Sequence, residues 1–117
     1  MIHEPRFAGE YILREIPDFA RDEKIISGGH YPAATVLGQL KASGHLVQLN
    51  PTASDGSEKA AAILYDMTDA SATDKIAVVT ARLTVINGHK LHWPDNITEK
   101  QQQAAIAQLA ERHIVVR

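Results

Sequence analysis

The segment Lys75–Trp93 carries the clearest alternation of apolar and polar residues in the chain. From Ala77 to Val85 every second residue is apolar, and most of the residues between them are more polar. A period of two predicts a strand with one covered face, because successive side chains of a strand point to opposite faces. Asn87-Gly88 then interrupts the run with the dipeptide that suits a tight type I′ turn. We therefore predict a β-hairpin over this segment, at the centre of a small β-rich domain.

Shorter apolar runs predict further strands at Thr35–Leu37, Leu46–Leu49, Ala60–Tyr65 and Ile114–Val116. Glycine, proline and small polar residues, which are typical of turns, separate most of these runs. Ala60–Tyr65 has three alanines, which favour a helix, but its shortness and flanking turns favour a buried strand. We expect this strand to lie antiparallel to Leu46–Leu49.

One helix is predicted near the end of the chain. Thr98 and Gln101 have the spacing of a capping box, in which each side chain bonds the backbone N–H of the other residue. Four apolar residues then share one face at helical spacing: Ala105, Ile106, Leu109 and Ala110. The predicted fold class is therefore mainly β with one C-terminal helix, within the α+β class.

Residues 1–26 differ from the rest of the chain. They contain Pro5, Pro17 and both phenylalanines of the protein, and their apolar residues follow neither a period of two nor one of 3.6. We interpret residues 1–26 as an extended N-terminal arm that docks on another chain, ahead of a β-rich domain over residues 27–117. The alternative is a first strand or short helix packed onto its own domain. The candidate docking residues are the large apolar ones: Phe7, Tyr11, Ile12, Leu13, Ile16 and Phe19.

Composition narrows the function classes. At 117 residues with a formal charge of −2, the chain predicts one domain without a basic surface for nucleic acid. The absence of cysteine excludes disulfides and thiolate metal sites. No apolar run approaches the length of a membrane span, and the N-terminus lacks the layout of a signal peptide. A core of small aliphatic residues at this length favours oligomerisation.

We considered which residues could carry chemistry, and we predict no catalytic residue, no cofactor and no metal site. His89 and His92 are three residues apart, so on a strand they point to opposite faces and do not converge on a metal. Asp66, Asp69 and Asp74 lack the oxygen pattern of a calcium loop and are interpreted as a solvated acidic loop. The serines occur in no recognisable nucleophile motif.

Several short motifs, taken in their order, resemble a known family. Ser27–Gly38 is similar to an S-G-G-x-Y-P-x-x-T-V-L-G motif, and Leu91–Pro94 gives a Leu-x-Trp-Pro sequence. The capped helix and a closing Ile-Val-Val-Arg follow. This arrangement resembles the head decoration protein D family of lambda-like bacteriophages from Ser27 to the C-terminus. Ala34 and His113 stand where glycine is expected in that family.

The resemblance implies a structural protein rather than an enzyme. Family members form homotrimers at the threefold positions of the expanded phage head, where they bind the major capsid protein and stabilise the shell against packaged DNA. It further implies a β-clip-like fold, an N-terminal segment that docks on the shell, and a place on the outer surface of the virion after synthesis in the host cytoplasm. Nucleic acid, membranes, small molecules and cofactors are not expected partners.

Two other function classes stay open. A peptide- or sugar-binding module would use Tyr31 and Trp93 as an exposed aromatic platform. A small β-clip hydrolase would use the acidic loop, and would need a concave pocket in which polar groups converge.

Overall fold

The computed structural model describes residues 7–117, so the first six residues of the predicted arm lie outside the described residues. The described part of the chain forms ten strands, a short 3₁₀ helix and one α-helix. In chain order these are β1 (Ile12–Glu15), β2 (Arg21–Ile26), β3 (His30–Tyr31), β4 (Val36–Gln39), β5 (Leu46–Gln48), β6 (Ala60–Leu64), β7 (Thr68–Asp69), β8 (Lys75–Thr80), β9 (Thr84–Ile86), the 3₁₀ helix Gly88–Lys90, α1 (Glu99–Glu111) and β10 (Ile114–Val116). The predicted fold class, mainly β with one C-terminal helix, is confirmed. The β-clip architecture implied by the resemblance stays a prediction.

Five strands close into a barrel in the order β2-β5-β4-β6-β8. Neighbouring strands run antiparallel except β2 and β5, which meet in parallel at Ile26 and Leu46. The barrel interior is filled by a core that includes six strand residues: Ile26, Leu37, Leu46, Ala62, Leu64 and Val79. Closure leaves the barrel without an open sheet edge.

A second core lies outside the barrel, where a three-stranded sheet of order β1-β9-β10 and helix α1 pack. β4 and β6 contribute to both cores: Val36 and Ile63 pack in the outer one, whereas Leu37 and Leu64 pack in the barrel interior. Because β6 is covered on both faces, all five of its residues are buried. This explains its uninterrupted apolar sequence, which a strand with one solvated face would not need.

Helix α1 begins as the sequence predicts. Thr98 is the N-cap, and the reciprocal bonds between Thr98 and Gln101 form a capping box. Ala105 and Leu109 are the buried residues of the helix, and Ala110, which was predicted to share their face, is exposed. None of the described residues belongs to a helix with the length and apolar character of a membrane span.

The predicted hairpin over Lys75–Trp93 is wrong. β8 belongs to the barrel and β9 to the three-stranded sheet, and the chain leaves one for the other at residues 81–83, where Leu83 has φ of 55°. Asn87 is extended and caps the 3₁₀ helix by accepting a hydrogen bond from the His89 N–H. Buried and exposed residues do alternate in this segment. The set of buried positions shifts by one residue at 81–83, however, so the one apparent strand is two strands.

The predicted partner of β6 is also wrong. β6 pairs with β4 and β8, and β5 pairs with β4 on the other side. Short spacing along the chain favours pairing between strands that are adjacent in sequence. In the closed barrel, β4 lies between β5 and β6 instead.

The interpretation of residues 1–26 as an arm separate from the domain is corrected over Ile12–Ile26. β1 pairs antiparallel with β9, and β2 pairs antiparallel with β8 along its whole length. The alternative of a first strand packed onto its own domain therefore describes this segment. Four consecutive charged residues, Arg21–Lys24, hid the strand character of β2, although exposed and less exposed side chains alternate along it.

Candidate docking surface

The six candidate docking residues divide into two groups. Tyr11 is fully buried in the outer core, and Ile12 packs against that core. The other four have exposed side chains, with accessible fractions of 66% for Phe7, 58% for Leu13, 48% for Ile16 and 62% for Phe19. Tyr11 and Ile12 are therefore structural, and a docking role is open only to the four exposed residues.

Tyr11 ties the N-terminal segment to the barrel. Its hydroxyl lies 2.6 Å from the Thr80 Oγ1 atom, and both residues are fully buried. Burial raises the pKa of the Tyr11 phenol above its ordinary value. This hydrogen bond joins the start of the chain to the end of β8 across 69 residues of sequence.

The exposed residues Ile16 and Phe19 lie on the turn between β1 and β2. The N–H groups of Phe19 and Ala20 donate to the Ile16 carbonyl, at 3.3 and 3.2 Å. Asp18 has φ of 70°, a conformation that aspartate tolerates better than most residues. The Ile16 N–H donates to the Leu83 carbonyl at 3.1 Å, and the buried Ala20 accepts from the Ala81 N–H at 2.8 Å. The turn is thus bonded to the β8–β9 connection at both of its ends.

Arg82, in that connection, adds a side-chain clamp. Its Nη1 atom donates to the Phe19 carbonyl at 2.6 Å and to Asp22 Oδ1 at 3.1 Å, and its Nη2 atom donates to Asp22 Oδ2. The hydrogen bond from Arg82 holds the pKa of the Asp22 carboxyl below its ordinary value.

A second ion pair closes the base of the turn. Arg21 contacts Glu15 through two parallel hydrogen bonds, of 3.1 and 2.5 Å, and its guanidinium lies 4.1 Å from the centre of the Tyr65 ring. A shallow depression of about 350 Å³ lies beside the turn, and its wall includes both members of this pair. The opposite charges of Arg21 and Glu15 therefore neutralise each other within the depression.

Sequence reasoning missed another apolar surface, on the outward face of β2 and β8. Ile25 lies directly opposite Ile76, and Glu23 lies opposite Val78, so these four side chains share one face. Ile25, Ile76 and Val78 are all exposed, and Ile76 reaches 71%. The available signal was that Ile76 and Val78 break the polar side of the alternation in β8. We call these three residues the β2–β8 patch.

Within residues 7–117, the side chains around His45 do not form the arrangement that the hydrolase alternative needs. Ser27 Oγ and Asp74 Oδ2 lie 3.1 and 3.5 Å from the same atom, Nδ1 of His45. A catalytic triad instead places the serine and the carboxylate on opposite ring nitrogens. In the acidic loop, Asp69 Oδ1 accepts from both the N–H and the hydroxyl of Ser71. Among residues 7–117, no three histidine or acidic side chains come together as metal ligands.

The aromatic platform of the binding-module alternative is not formed either. Tyr31 is only 7% exposed and packs in the barrel core, where its hydroxyl donates to the Ser27 carbonyl at 2.7 Å. Trp93 is partly buried against the outer core. The two side chains therefore do not share an exposed surface.

Comparison with protein-family models identifies a match over nearly the whole chain. The model described as bacteriophage lambda head decoration protein D matches residues 1–114. No curated protein matches the chain.

Proposed function

The chain belongs to the bacteriophage lambda head decoration protein D family, and from this premise we propose that it binds the expanded phage head as a homotrimer. The family assignment identifies a structural component of the phage capsid. In the proposal, trimers sit on the outer surface at threefold positions, contact the major capsid protein and hold neighbouring subunits together against the pressure of packaged DNA. The protein is made in the host cytoplasm and ends in the virion. The match over residues 1–114 is the observation that carries this proposal.

The distribution of exposed apolar residues supports a protein that works by contact. The four exposed candidate residues lie at the start of the described chain, and the β2–β8 patch lies on the barrel wall. A homotrimer that also binds a shell needs one surface for its own copies and another for the capsid protein. We propose that capsid docking uses Phe7, Leu13, Ile16 and Phe19. These four candidate residues have exposed side chains, so they retain the docking role that was predicted for residues 1–26.

The proposed mechanism requires no bond to be made or broken. A ligand that binds one state of a macromolecule stabilises that state by mass action. If the trimer fits only the expanded lattice, its binding free energy is added to the stability of that lattice. Three docking segments on one trimer also act together, which raises the overall affinity above that of a single segment.

Co-sedimentation with phage heads tests the proposal. The mass of the purified chain alone is measured by light scattering. The chain is then mixed with expanded heads that lack their own decoration protein and, separately, with unexpanded heads. We expect a trimer that co-sediments with expanded heads alone. A monomer, or equal binding to both kinds of head, would contradict the proposal.

A further inference from the structure

We infer that Arg82 is a positioning residue that holds the β1–β2 turn in a preformed shape, so that Ile16 and Phe19 dock as one apolar tip on the capsid protein. This inference rests on the proposed function and adds the group that prepares its docking site. The apolar tip is defined here as the side chains of Ile16 and Phe19.

Arg82 makes several hydrogen bonds to the turn and its flank. The side chain donates to the Phe19 carbonyl, the residue that carries the larger half of the tip, and to both carboxylate oxygens of Asp22 just beyond it. The Arg82 backbone N–H also donates to the Ala20 carbonyl at 3.2 Å. One residue from a distant part of the chain therefore fixes the C-terminal half of the turn.

Only arginine can make this set of contacts. A guanidinium presents several N–H donors in a planar fork, so it can bind a carboxylate through two bonds and still reach a carbonyl. A lysine ammonium carries the same charge without the fork. The positioning role therefore depends on the geometry of the guanidinium, and the role of the charge can be tested separately.

The tip combines exposed side chains with an ordered backbone. Ile16 and Phe19 are about half or more exposed although their backbone is bonded to neighbouring elements. A side chain presented on an ordered backbone loses less conformational entropy on binding than one on a mobile loop. Aromatic anchors of this kind contribute most when they fill a pocket of the partner.

The position of the tip along the chain indicates which partner it contacts. Phe7 and Leu13 precede the tip and are exposed as well, so apolar exposure continues along the N-terminal segment that the proposed function assigns to the shell. The β2–β8 patch is a broad sheet face and remains for contacts between copies. The tip is thus assigned to the capsid protein rather than to a second copy of this chain.

The test is a double-mutant cycle on binding to expanded heads, with Arg82→Lys and Phe19→Ala alone and combined. We expect R82K to raise the dissociation constant by roughly threefold to tenfold, the size of effect produced by releasing one or two ordered groups. In the F19A background the same substitution should have a smaller further effect, because only the Ile16 half of the tip then remains for Arg82 to position. The matched control is Arg117→Lys, an exposed arginine outside residues 1–26, which should bind as the parent does.

Four results would overturn the inference. These are additive effects of R82K and F19A, equal weakening by R117K and R82K, parental binding by F19A, and loss of the trimer mass in F19A. The last result would assign the tip to contacts between copies. If R82K fails to fold, Asp22→Asn replaces it in the cycle, because it removes the carboxylate that orients the guanidinium. Failure of the parent chain to bind heads at all would instead contradict the proposed function.

Discussion

Replacing Tyr11 by phenylalanine tests whether the N-terminal segment is part of the fold. The substitution keeps the ring in the outer core and removes the hydroxyl that lies 2.6 Å from Thr80 Oγ1. The Thr80 hydroxyl is fully buried and would lose this partner. Leaving a buried polar group without its partner costs about 1–3 kcal/mol, so we expect Tyr11→Phe to lower the free energy of unfolding by that amount.

Urea denaturation followed by tryptophan fluorescence measures this change, with all variants at one protein concentration because the proposed trimer links stability to concentration. Thr80→Val is the matched partner substitution, since valine has nearly the shape of threonine. The double variant removes both polar groups, and we expect it to be destabilised by less than the sum of the two single changes. A Tyr11→Phe variant within about 0.5 kcal/mol of the parent would refute the reasoning, because that is the behaviour of a residue outside the core.

Three further predictions follow from the packing and the charges. Leu109→Ala should lower the free energy of unfolding by about 2–5 kcal/mol, as for other fully buried leucines; a parental thermal melt would contradict the placement of α1. Gly38→Ala should lower it by about 1–3 kcal/mol, because the added Cβ would lie 2.5 Å from the Ser57 carbonyl oxygen; unchanged denaturant midpoints would count against that contact. The pKa of Asp22 is lowered in the folded state, so its pair with Arg82 stabilises the fold above about pH 4 and this contribution is lost as the pH falls further. The difference in unfolding free energy between the parent and Arg82→Gln should be at most about 1 kcal/mol at neutral pH and should shrink on acidification; a difference that grows in acid would refute it.

The sequence predicted elements with strong local signals and missed those fixed by distant contacts. The capping box placed α1 because Thr98 and Gln101 bond each other within one turn. Two positions where the family resemblance led us to expect glycine, Ala34 and His113, have positive φ values of 71° and 60°. These are local backbone requirements, which short motifs can reveal.

The pairing of strands could not be predicted in the same way. β9 pairs with β1 and β10, from opposite ends of the chain, so no turn motif between neighbouring segments identifies its partners. The apparent strand from Lys75 to Val85 divides at residues 81–83, where the Ala81 and Arg82 N–H groups donate to Ala20 instead of continuing the sheet. That division depends on a contact with a segment about 60 residues earlier in the sequence.

The candidate site was predicted only in part for the same reason. Large apolar residues in the N-terminal segment were identified, but composition alone did not separate Tyr11, which is buried by Thr80 and the outer core, from Phe19, which is exposed. Arg82 was not singled out because its role depends on the fold bringing it to Phe19 and Asp22. Side chains that act through tertiary contacts carry no local sequence signal.

The central proposal is that this protein stabilises the expanded shell by binding to it, and scanning calorimetry of expanded heads with and without the purified chain tests it most directly. The account predicts that the denaturation temperature of the heads rises with the concentration of added chain until all positions are filled. Heads that bind the chain yet denature at an unchanged temperature would contradict it.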